Sequence, residues 1–187
     1  MAGNFWQSSH FQQWVLDPPE LFKNRQADLN VLTEDGYQKI MIFFANFIQS
    51  LGEQLKLRQQ VIATATIYFK RFYSRNSLKC IDPWLMAPTC VFLASKVEEF
   101  GVISNTRLIS TCQAVVKNKF SHAHPLEYPY RINLVLECEF YLLEMMNKNN
   151  SDPQTDIHLC KPDETQEIKT ILSCKSPTED PKNMLLL

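Results

Sequence analysis

With 187 residues, 45% of them hydrophobic and 21% charged, the chain is long enough for one domain and a fraction of a second. A formal net charge of −1 excludes the strongly basic make-up of a dedicated nucleic-acid binder, and an aromatic content of 11% excludes a wholly disordered protein. With 4 glycines and no CxxC pair among 6 cysteines, Gly-rich phosphate loops and paired-thiol zinc sites are not expected, and the fold class read from composition is all-α. No run of about 18 uncharged apolar residues is present, so no membrane span is expected. The opening Met1 to His10 lacks a basic stretch followed by an apolar one, so no secretory leader is expected either. The cysteines then read as small buried hydrophobes of a reducing compartment, cytosol or nucleus.

After a short aromatic N-terminal segment, five amphipathic stretches follow. The first, about Tyr37 to Leu55, repeats Ile40, Met41, Phe43, Phe44, Phe47, Ile48 and Leu51 at helical spacing, with Gly36 predicting a weak start. The second, Lys56 to Arg75, puts Val61, Ile62, Ala65, Tyr68, Phe69, Phe72 and Tyr73 on one face and predicts a solvated basic side carrying Arg58, Lys70, Arg71 and Arg75. In the third, Asp82 and Pro83 give a cap and a first-turn proline, and the 13 residues from Pro83 to Ser95 carry no charge. A helix apolar all round must be surrounded by other helices, and Pro88 predicts a bend in it. The fourth starts at the cap Ser104 and uses Leu108, Ile109, Cys112, Val115, Val116 and Phe120. The fifth starts at Pro129 and uses Ile132, Val135, Leu136, Leu142, Leu143 and Met146.

Two charges break this pattern. Lys96 ends the uncharged run, where a basic residue would also complement a helix dipole. At 100° per residue Glu139 falls in the middle of the stripe of Ile132, Val135, Leu136, Leu143 and Met146, whereas Glu137 and Glu144 point away from it. A carboxylate on a core-facing stripe needs a cation, and Lys96 is the one flanked by core on its N-terminal side, so a Lys96–Glu139 pair is expected.

The order Phe92-Leu93-Ala94-Ser95-Lys96-Val97-Glu98-Glu99, then Glu139, resembles the signature of the cyclin family. The opening ten residues, Leu57 to Ala65 and Leu136 to Glu144 extend the likeness over residues 1 to about 146. The resemblance implies an N-terminal helix and linker in 1–36 and one five-helix cyclin box in 37–146. It also implies a role as non-catalytic activator of the cyclin-dependent protein kinase of the Mediator complex, regulating RNA polymerase II transcription in the nucleus, with no cofactor. By the same resemblance Lys96 and Glu139 shape the kinase-binding surface, and Glu98 and Glu99 are candidates for contacting the kinase. Trp6 is implied to face other Mediator kinase-module subunits, simple packing of its ring on the box being the alternative.

A second box is expected in that family, and here a different segment follows Met146. Residues 147–187 hold none of the 21 aromatics and carry 5 Lys/Arg against 7 Asp/Glu, so they are read as a disordered, divergent tail of a truncated or alternative product. Such a product either activates the kinase or competes for it. A nucleic-acid-associated module of the TFIIB type, which shares the cyclin fold, is the rival from another class. Direct nucleic-acid binding and membrane contact are not expected, because residues 1–146 carry 14 Lys/Arg against 13 Asp/Glu and no zinc-ribbon spacing precedes the box. No metal site is expected either, since His10, His122, His124 and His158 lack carboxylates or thiols at ligand spacing.

Overall fold

The computed structural model describes residues 4–123 and 128–147. The segment read as a disordered tail, with Cys160, Cys174 and His158, lies outside the described residues beyond Asn147, and so does His124.

The described residues form a short 3-10 turn, Phe5–Gln7, and seven α-helices: α1 Ser9–Trp14, α2 Pro18–Leu29, α3 Glu34–Gln54, α4 Gln59–Arg75, α5 Pro83–Val97, α6 Asn105–Lys119 and α7 Ile132–Asn147. The five helices α3 to α7 are those predicted from periodicity, and their arrangement is the cyclin-box fold. Ahead of them stand two α-helices rather than one.

α5 is the axis of the bundle. All 13 residues from Pro83 to Ser95 are buried, and α3, α4, α6 and α7 pack around them. Asp82 caps the helix by accepting a hydrogen bond from the Trp84 amide at 2.9 Å. The Trp84 ring meets Phe44 and Phe47 edge-on, each at 5.1 Å between centroids, with Phe43 at 5.7 Å. Pro88 lies inside α5 without ending it. A proline cannot donate to the carbonyl four residues back, and the Tyr128 hydroxyl reaches that carbonyl, on Trp84, at 3.1 Å. The Tyr130 hydroxyl donates to Asp82, so the connection before α7 is fastened to the start of α5.

Several boundaries differ from the sequence reading. α3 begins at Glu34 and its start is not weak: the Thr33 hydroxyl accepts from the Gly36 amide at 3.1 Å, and Glu34 and Asp35 place negative charge in the first turn. α4 begins at Gln59, because Lys56 takes a left-handed backbone, φ 57°, in the turn after α3. α7 begins at Ile132, the residues Tyr128 and Tyr130 being used as side-chain anchors outside the helix. Gly52 lets α3 and α4 approach closely, since a Cβ there would stand 2.5 Å from Ile62 Cγ1.

The basic side of α4 is not simply solvated. Arg71 and Arg75 are half-buried, and their guanidinium carbons lie 4.8 and 4.0 Å from the centroid of the Trp14 ring. Arg75 donates to the Gln13 carbonyl at 2.6 Å, and Arg71 Nη2 is 2.9 Å from His10 Nδ1. Burial lowers the pKa of both arginines. Arg71 and Arg75 thus serve to hold α1. α2 is held by Asp28, which accepts from the Ser77 hydroxyl at 2.6 Å and from the Leu78 amide at 3.1 and 3.2 Å.

Candidate functional site

The last turn of α5 and the middle of α7 build the site. Lys96 is the first charge after the buried run, so its stem leaves the core beside Phe92, whose ring centroid is 4.1 Å from Nζ. Nζ then donates to both carboxylate oxygens of Glu139, at 2.7 and 2.8 Å. Glu139 is only 7% exposed, while the Lys96 side chain is 35% exposed. The pair expected from the charge on an apolar stripe is therefore present, with one partner inside and one at the surface.

Glu98 ends α5, its amide bonded to the Ala94 carbonyl at 3.0 Å. Its carboxylate is engaged from α4, accepting from Gln60 Nε2 at 2.5 Å and from the Thr64 hydroxyl at 2.6 Å. Glu99 is exposed and takes a left-handed φ of 51°. Gly101 follows at φ 106°, a conformation that a side chain resists. Lys96, Glu98, Glu99 and Glu139 thus gather at one end of α5.

Trp6 belongs to a different set of contacts. It is 68% exposed, and its ring contacts among the described residues are with Phe5 and Phe11, at 5.6 and 5.0 Å. The aromatic that packs on the bundle is Trp14.

Close to the ion pair in sequence stand exposed apolar residues that periodicity alone did not identify. Val97 is 52% exposed and Phe140 is 72% exposed, each next in sequence to a member of the pair, and Leu143, one turn beyond Glu139, is 39% exposed. Leu143 had been assigned to the core stripe. Phe140 had a usable signal: it is a large aromatic off the stripe of an amphipathic helix.

The chemistry on offer is recognition. A fixed ion pair supplies direction and the surrounding apolar groups supply area to bury. Among the described residues no group of three or more His, Cys, Asp or Glu is placed to hold a metal. The buried thiols are inert: burial pushes Cys112 and Cys138 each up to about 12.

Residues 20–149 match the family profile described as "Cyclin, N-terminal domain". The chain is 73% identical over 147 residues to "Cyclin-C" of Drosophila melanogaster, covering 79% of this chain and 55% of that protein. It is 69% identical to "Cyclin-C" of Rattus norvegicus, covering 79% and 51%, and 39% identical over 156 residues to "Cyclin-C" of Caenorhabditis elegans, again covering 79% and 51%. The chain therefore spans about half the length of the curated relatives it matches. A solved chain from the "CAK complex" of Chaetomium thermophilum bound to ATP-γ-S shares the fold, with a TM-score of 0.56 at 21% identity over 91% of this chain and 48% of that one. With a family profile matched over most of its length, a cyclin-box fold and close relatives that are cyclins, the chain belongs to the cyclin family.

Proposed function

We propose that this chain is a non-catalytic regulatory subunit that docks the cyclin-dependent protein kinase of the Mediator complex through the end of α5 and the exposed side of α7. The observation that carries the reading is the Lys96–Glu139 pair, 2.7 and 2.8 Å, with exposed Val97, Phe140 and Leu143 next to its members or one helical turn on. The identity to relatives named Cyclin-C supports it. Lys96 and Glu139 fix the shape of the surface. Glu99 meets basic groups of the kinase, Glu98 sets the edge of the site through α4, and Trp6 serves other subunits of the Mediator kinase module. The setting is the nucleus and the outcome is regulation of RNA polymerase II transcription.

Such a protein acts by preferring one state of its partner. Docking a mobile helix of the kinase inward favours the state in which the kinase's own catalytic ion pair forms. Inverting a 1:99 population takes a differential affinity of about 5.5 kcal/mol.

In a second reading the chain occupies the kinase without activating it and competes with a two-box form; the likeness to its relatives, which covers about half their length, supports docking and says nothing of activation. Pull-down of the kinase by wild type and by Lys96→Glu tests the docking face: loss of recovery is expected, and equal recovery contradicts it. Kinase activity with this chain added, alone and against a two-box form, separates activator from competitor.

A further inference from the structure

A cavity lined by none of the ion-pair residues lies where α1 and the turn after it meet α2, α3 and α4. Its volume is about 570 Å³, within the range of ligand pockets. The floor is apolar, with Leu16, Leu21 and Met41, and the exposed Val15 and Ile67 stand at its edge, 57% and 43% exposed. Three cations, Arg25, Lys70 and Arg71, line it, and no carboxylate does. Arg25 is engaged by Glu34 at 3.5 Å. Arg71 has no such carboxylate partner among the described residues: Nη2 faces His10 Nδ1, and the guanidinium lies over the Trp14 ring. Lys70 is exposed.

We infer that this groove binds an acidic peptide segment of a partner protein, with one apolar side chain seated on Met41 and Ile67 and a carboxylate held between Lys70 and Arg71. Charge selects the occupant. A half-buried guanidinium and a neighbouring exposed ammonium, with no carboxylate in the lining beside them, favour an anion, and charge-assisted hydrogen bonds of this type are the strong ones. The apolar floor and edge require more than a phosphate or a nucleic-acid backbone provides. An open groove with apolar groups beyond its mouth suits a peptide better than a compact metabolite. The surface is separate from the one assigned to the kinase.

The test titrates the full 187-residue chain, labelled at Ile and Met methyls, with a synthetic helical peptide carrying Leu and Phe one turn apart among Glu residues. The expected result is saturable shifts at Ile67 and Met41 that weaken as salt rises. Lys70→Glu, a change at an exposed side chain, is expected to weaken binding about three- to tenfold. Lys117→Glu, an exposed change on α6, is expected to leave it unchanged, and since no kinase is present the outcome is independent of the kinase reading. Absence of binding, equal binding of the same peptide with Lys in place of Glu, or indifference to Lys70→Glu overturns the inference. So does 4-phenylbutyrate saturating the same methyls as tightly as the peptide, because the groove would then be a small-molecule site.

Discussion

Lys96 and Glu139, 43 residues apart in sequence, share two hydrogen bonds of 2.7 and 2.8 Å that join the end of α5 to the middle of α7. The carboxylate is nearly buried and the ammonium is not, so the pair is intermediate between a surface bridge and an internal one.

That asymmetry predicts unequal costs. Lys96→Met leaves a nearly buried carboxylate without its cation and is expected to destabilise the fold by about 1–3 kcal/mol, between the ranges for exposed and buried pairs. Glu139→Gln leaves an ammonium that solvent can reach and is expected to cost less. Urea unfolding of both variants checks the order, and a smaller loss from Lys96→Met than from Glu139→Gln contradicts it.

Gly52 predicts a packing effect of the opposite sign to helix propensity. Alanine in a helix is favoured over glycine by about 1 kcal/mol, yet a Cβ at this position would lie 2.5 and 2.6 Å from Ile62 Cγ1 and Cδ1. Gly52→Ala is therefore expected to destabilise the protein by about 1–3 kcal/mol, and adding Ile62→Ala to relieve part of that loss. Thermal unfolding of the single and double variants reads the coupling; strictly additive losses would show that the contact is not the cause.

Asp28 predicts a pH dependence. Burial raises its carboxyl above the ordinary 3.8, against hydrogen bonds from Ser77 and Leu78 that lower it. The folded state therefore keeps this proton to higher pH than the unfolded chain. Its stabilising contribution is full below 3.8, falls as pH climbs through the raised value, and is flat above. Relative to Asp28→Asn, wild type is expected to lose stability across that window. A difference between the two that does not vary with pH contradicts the assignment.

Much of this was readable from spacing. The periodic apolar positions placed α3 to α7, and the uncharged run from Pro83 to Ser95 marked the central helix, because only a surrounded helix tolerates no polar face. The ion pair was readable for a related reason: Glu139 is an expensive residue on a core stripe. What escaped has a different physics. The hold of Trp14 on Arg71 and Arg75 joins distant segments through ring faces and has no periodicity. The capping of α3 by Thr33 depends on one hydroxyl, and Lys56 in a left-handed turn gives no compositional sign. Leu143 reads as core material, since an exposed apolar group on a docking face looks like a buried one in sequence, whereas Phe140 stands off the stripe, a position that spacing leaves without a role.

The central claim is that the face bearing Phe140 binds the kinase, and the dissociation constant of the kinase for this chain tests it most directly. Phe140 is 72% exposed, so Phe140→Asp leaves the fold intact, which circular dichroism verifies. Burying a charge where an aromatic anchor belongs is expected to weaken binding at least about tenfold, the loss of an interface hot spot. A dissociation constant unchanged by Phe140→Asp would contradict the account.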